Sequence, residues 1–136
     1  MAHGGELIST LPSMSAKAVD PSVLKYIEKQ SQALLRFCAV NVHLKGLTFL
    51  FVNAYFWDTL GPKHPKNHVI FVQIELLIIL TKKPIFLHAD FNCTPNELSM
   101  SGWPNRLKLQ MLLPIGPTTK SSDRIIQFAL VDGSLF

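Results

Sequence analysis

The residues best suited to chemistry lie in one short run, Ile85-Phe86-Leu87-His88-Ala89-Asp90-Phe91-Asn92-Cys93-Thr94-Pro95. An apolar strand runs out into Asp-x-Asn. Side chains alternate along a strand, so Asp90 and Asn92 are expected on one side and Phe91 on the other, in the core. A carboxylate and a carboxamide then sit together at a strand end, where α/β proteins tend to bind ligands. A carboxylate orients a water and takes its proton, and a carboxamide donates to a phosphoryl oxygen. The pair therefore suits attack of water on a phosphodiester. Asp and Asn also end strands because they satisfy nearby backbone groups. On spacing alone that turn reading is the commoner one.

Other reactive residue types read as structure. His64 and His68 are four apart, but in a Pro- and Lys-rich stretch that does not suit a metal site. Cys38 and Cys93 are isolated, so neither a disulfide framework nor a zinc site is indicated. Cys93 is expected to be a small loop residue rather than a reactive thiol. Trp57 and Trp103 are expected to anchor packing or loops.

The elements that position Asp90 follow from caps, turns and periodicity. Residues 1–19 have no period and read as a flexible leader. Residues 20–136 read as one domain. Asp20-Pro21 starts a helix. Arg36–Leu44 and Leu47–Tyr55 read as strands joined by the turn Lys45-Gly46. Phe56–Asn67 reads as a loop. Val69–Leu80 is ambiguous, because its β-branched residues favour a strand and its length a helix. Pro84–Phe91 is a strand. Thr94-Pro95-Asn96-Glu97 opens a helix of the capping-box type, which Gly102 would stop. Leu107–Leu113 and Ile125–Val131 complete the strands. The order is mixed α/β, and such apolar strands imply a sheet covered on both faces.

Composition bounds the rest. The chain has 136 residues, the size of one domain. It is 48 % hydrophobic and 16 % charged, against about 25 % charged in an average domain. That excludes disorder as the main state. The longest apolar run, Val69–Leu80, is interrupted by Gln73 and Glu75, and spanning needs roughly 18 apolar residues. The first residues have no Lys or Arg before their apolar part, with Glu6 early and Pro12 within, unlike a secretory signal. An intracellular protein, cytoplasmic or nuclear and without a membrane span, is expected. The net charge of +4 is mild. Its small groups, such as Lys63/Lys66, Lys82/Lys83, Arg106/Lys108 and Lys120/Arg124, read first as a solvated face.

The run His88-Ala89-Asp90-Phe91-Asn92-Cys93-Thr94-Pro95 resembles the Gly-Asp-Phe-Asn motif of the endonuclease/exonuclease/phosphatase (DNase-I-like) superfamily. Phe51-Val52-Asn53-Ala54-Tyr55 resembles that family's strand ending in Asn-x-Tyr. Arg124–Val131 resembles its late strand with an Arg-Ile-Asp-Tyr-like core. The three occur in family order, and the resemblance covers about residues 36–136. It implies a partial two-sheet α/β sandwich, a mixed sheet with covering helices, and a helix over Val69–Leu80. It implies metal-dependent hydrolysis of phosphodiesters or phosphomonoesters, with Mg2+ or Mn2+. By position, Asp90 would orient or activate the water, Asn92 would bind the scissile phosphate, and Tyr55 would place its hydroxyl near the same phosphate. The partners implied are nucleic acid or a phosphorylated small molecule.

The departures are specific. Ala89 replaces the family's Gly, His88 another small residue, and Gln127 the Asp that helps orient a catalytic His. Gln cannot supply the charge that stabilises an imidazolium. No His follows His88, the closing Ser-Asp-His motif is absent, and no Glu stands in the context of the family's metal ligand. A hard cation needs carboxylate oxygens, and only Asp90 is an evident donor. The expectation is an incomplete domain, inactive or nearly so as this chain. The alternative is a non-catalytic interaction module derived from the same fold, with basic loops around Lys63, Lys82 and Arg106 holding a phosphate backbone. An incomplete sandwich also predicts exposed apolar surface and self-association.

Overall fold

The computed structural model describes residues 15–118 and 124–136. Among the described residues six strands form one mixed sheet in the order β1-β2-β3-β4-β6-β5. They are β1 (Ser15–Ala18), β2 (Phe37–Leu44), β3 (Leu47–Tyr55), β4 (Ile85–Asp90), β5 (Leu109–Leu112) and β6 (Gln127–Asp132). The α-helices are α1 (Pro21–Ser31), α2 (Pro65–Thr81), α3 (Pro95–Met100) and α4 (Trp103–Arg106). Among the described strands only β3 and β4 pair in parallel, and α2 is the crossover between them.

The β2–β3 hairpin is as expected. Lys45 (φ 49) and Gly46 (φ 79) both take positive φ, the requirement of the tight turn that matches strand twist. The Asp20 side chain accepts from the Ser22 N–H and caps α1, with Pro21 in the first turn. Thr94 and Glu97 form the expected capping box at α3.

Alternation along the strands divides the sheet into two faces. One carries Phe37, Leu50, Val52, Ala54, Ile85, Leu87, Ala89, Phe128 and Leu130. These join Ile27 of α1, Ile70, Ile74 and Leu77 of α2, Leu98 of α3 and Trp103 of α4 in one core. The buried Gln73 ties α2 to the end of α1 through Ser31 Oγ (2.9 Å) and the Ala33 carbonyl (3.2 Å). The opposite face carries Val40, Phe51, Phe86 and Val131, with the Phe51 and Phe86 rings stacked 5.4 Å apart. None of the four α-helices contributes a buried residue to it.

Three expectations are corrected, and one short helix is added. Among the described residues the helices cover one face of the sheet, not two, and every strand belongs to one sheet. The apolar residues of the second face pack against each other along the pleat. Residues 1–14 of the expected leader lie outside the described residues, but Ser15–Ala18 pair with β2 as an edge strand. The loop expected to reach Asn67 ends at His64. Pro65 sits in the first turn of α2, and His64 Nδ1 accepts from the Lys66 N–H as its cap. The run after Gly102 turns once more as α4, with Pro104 in its first turn.

Candidate functional site

The polar residues singled out in the sequence converge at the carboxyl ends of β3 and β4, on the face without helices. Tyr55 pairs with Asp90 across the parallel ladder, and Asp90 pairs with Gln127 across the antiparallel one. This row of three closes the sheet. One step inward, Asn53 pairs with His88, and His88 Nδ1 donates to Asn53 Oδ1 at 3.1 Å. One step further lie Phe51 and Phe86. The face thus grades from apolar in the middle to polar at the strand ends. β4 is regular, so His88 and Asp90 share this face.

Phe91 is buried as expected and stacks between Phe56 and Phe128. Asn92 does not continue the strand. It takes φ 50, its Nδ2 donates to the Phe56 carbonyl at 2.6 Å, and its backbone N–H donates to Asp90 Oδ1 at 3.2 Å. The alternation expected for Asp90 and Asn92 is therefore broken by a left-handed turn. Asn92 folds back to fasten the end of β3 beside Asp90. The carboxamide has a second N–H that can donate and an oxygen that can accept.

Asp90 is half-buried, and desolvation pushes its carboxyl above the ordinary value. The Asn92 backbone N–H and the Gln127 side-chain amide act against that shift. Asp58 adds to it, and the nearby His88 opposes it. Cys93 is fully buried, and desolvation pushes its thiol up to about 12, so the inert reading of this cysteine holds. Behind the site, Thr94 N–H and hydroxyl hold Glu97 below its ordinary value, and Arg124 pairs with Glu97 at 3.2 Å. Thr118 Oγ1 accepts from the N–H groups of Ile126 and Gln127 and so sets the start of β6. Lys120 and Thr119 lie outside the described residues.

Sequence reasoning missed one cluster at this end of the sheet. The Arg36 guanidinium carbon lies 3.9 Å from the centroid of the Tyr55 ring and 3.9 Å from that of Trp57. Lys66 Nζ lies 5.0 Å from the Trp57 centroid. Arg36 Nε also donates to the Tyr55 carbonyl at 3.3 Å. The signal was the Tyr-x-Trp step at the end of β3. Its cationic partners are distant in sequence.

No protein-family model and no curated protein matches the chain. Solved structures do. The endonuclease domain of TRAS1, a telomere-specific non-LTR retrotransposon, superposes with a TM-score of 0.59 at 10 % identity, covering 90 % of this chain and 57 % of that one. The human Nocturnin catalytic domain gives 0.55 at 14 %, covering 71 % and 41 %. A mannosyl-6-phosphatase of Bacteroides thetaiotaomicron gives 0.52 at 18 %, covering 72 % and 43 %. The chain has the DNase-I-like fold. It spans between 41 % and 57 % of the length of these structures. The mixed sheet with helices expected from the resemblance is the one observed.

On this DNase-I-like sheet Tyr55 and Asp90 are ladder partners, and the turn at Asn92 brings its carboxamide to the Phe56 carbonyl beside them. A divalent cation is a separate matter. Among the described residues, no three of His, Cys, Asp and Glu group so as to hold a metal ion. The described residues alone do not fit one. No helix among them is long and apolar enough to cross a membrane.

Proposed function

We propose that the chain recognises phosphate esters through the Tyr55–Asp90–Asn92 end of its sheet, and that it hydrolyses them slowly or not at all by itself. The observation that supports this most is the row Tyr55–Asp90–Gln127 at the carboxyl ends of β3 and β4. In this reading the Tyr55 hydroxyl and the second Asn92 N–H donate to phosphoryl oxygens. Asp90 orients a water and takes its proton. Its raised pKa keeps it a usable base nearer neutral pH. The ligand is a nucleic acid or a phosphorylated small molecule, in keeping with the nuclease and phosphatase names among the structural neighbours.

Low turnover follows from charge. Attack on a phosphodiester builds negative charge that must be met by cations or donors. Across the ladder Asp90 faces the neutral Gln127, and the Arg36 guanidinium is stacked on the Tyr55 ring. Recognition without turnover is therefore the form this site favours.

The test combines binding and turnover. DNA, RNA and a small phosphodiester are offered with Mg2+ or Mn2+. Binding weakened by Tyr55→Phe and Asn92→Ala, with trace turnover only, is expected. Robust turnover abolished by Asp90→Asn would overturn the low-turnover claim. Binding indifferent to Tyr55 and Asn92 would overturn the site.

A further inference from the structure

A cavity of about 390 Å³ opens beside this site, on the helix side of the sheet end, lined chiefly by Leu34, Arg36, Trp57, Lys66, Val69 and Ile70. Its walls are mainly hydrocarbon, and its two cations flank an exposed indole ring. We propose that this cavity seats one base of a single-stranded nucleic acid, with the adjoining phosphate held by Arg36 and Lys66. The proposal extends the phosphate-ester reading, and rests on it, by naming the ligand.

Three observations carry it. First, the cations are available. The ion pairs among the described residues are Arg106–Glu75 and Arg124–Glu97, and neither Arg36 nor Lys66 has an acidic partner there. Asp58, the acid next to Trp57 in sequence, accepts from the Thr59 N–H. Lys66 also lies in the first turn of the 17-residue α2, where the helix dipole favours an anion.

Second, the cavity is preformed. Asn67, 1 % exposed, accepts from the Trp57 N–H (2.7 Å) and donates to the carbonyls of Trp57 (3.1 Å) and Gly61 (2.8 Å). These bonds fix the loop that presents Trp57, so little ordering remains at binding.

Third, the position is continuous with the site. Arg36 touches both Trp57 and Tyr55, and Tyr55 pairs with Asp90. A strand whose base enters the cavity can run its backbone past Arg36 to Tyr55. An inorganic anion would leave the apolar walls unused. A duplex must first unstack and unpair a base, at a cost of about a few kcal/mol, before a cavity can take it, whereas a single strand offers one at less cost. Aromatic and basic side chains in alternation are how proteins hold single strands without reading sequence.

The test uses the full chain labelled with 5-fluorotryptophan, which reports Trp57 and Trp103 separately by 19F NMR without a substitution. A short oligothymidylate is expected to shift the Trp57 resonance and leave that of the buried Trp103. Affinity should fall about tenfold in Trp57→Ala, stay near wild type in Trp57→Phe, and fall about tenfold for an abasic strand of the same length. Arg36→Met and Lys66→Met should flatten the salt dependence. Equal affinity for abasic, duplex and single strands would overturn the proposal. So would a Trp57 shift produced by phosphatidylserine vesicles but not by the oligonucleotide. Weakening by Tyr55→Phe and Asn92→Ala without any by Trp57→Ala would overturn the cavity and spare the phosphate-ester site. The converse pattern would spare the cavity and overturn that site.

Discussion

Gln127 stands opposite Asp90 across the antiparallel β4–β6 ladder, and its side-chain amide donates toward the Asp90 carboxylate. The pairing offsets part of what burying Asp90 costs the fold. Desolvation raises the Asp90 pKa despite the bonds from Asn92 and Gln127. A carboxyl with a raised folded pKa is least costly below its unfolded pKa. Stability is lost as pH rises through the interval up to the folded pKa. Asp90→Asn is therefore expected to raise Tm at pH 7 by about 2 °C, with the gain vanishing in acid. Thermal melts from neutral to acidic pH check this. A gain that grew as pH fell would contradict the sign.

Glu97 runs the opposite way. Bonds from Thr94 hold its pKa down, so its contribution is present above the unfolded pKa and fades as pH falls through the folded one. Thr94→Ala removes the side-chain half of the capping box, the hydroxyl that accepts from the Glu97 N–H and donates to its carboxylate, and leaves the Thr94 N–H bond to Glu97; it is expected to cost about 1 kcal/mol at neutral pH, and less in acid. Denaturant midpoints at the two pH values measure the difference.

The two cysteines should differ sharply. Cys93 is 1 % exposed with its pKa near 12, whereas Cys38 is half-buried on the face without helices. A thiol reagent at pH 8 is expected to modify Cys38 first and Cys93 only on unfolding. Mass spectrometry of the modified peptides reads this directly.

Asn67→Ala removes three hydrogen bonds at a buried position and strands the Trp57 backbone groups. A loss of about 2–4 kcal/mol is expected. Chemical denaturation gives the value, and Trp57 fluorescence should shift as its loop loosens.

The face bearing Phe51 and Phe86 should drive association, since none of the four α-helices covers it. Phe51→Lys is expected to lower the apparent mass in light scattering at high concentration. An unchanged monomer before and after the substitution would show that the face does not self-associate.

Local signals were legible in the sequence wherever they were strong. Lys45-Gly46, Asp20-Pro21 and the Thr94–Glu97 box each dictate a backbone conformation with their own atoms, and each element begins where they say. The helix α2 was not legible from periodicity. It is apolar on most sides, being covered by the sheet, α1 and Trp103, and its β-branched residues mimic a buried strand. β1 was missed because Ser-Ala-Lys-Ala carries no strand preference of its own and forms only by pairing with β2. At the site, the Asp90 neighbourhood followed from its strand end. The turn that swings Asn92 onto Phe56 and the Arg36–Trp57 stack depend on contacts between distant segments, which spacing does not encode.

Both edges of the sheet are short. β1 and β5 have four residues each; β1 carries Lys17, and Pro114 closely follows β5. A lysine or a proline at an edge discourages another chain from extending the ladder. Among the described strands, growth of the sheet strand by strand, the route to fibres, is thus discouraged at both edges, while none of the described helices covers its broad face. Assemblies of this protein should accordingly be finite stacks of sheet on sheet, with the Tyr55–Asp90 rim at their border.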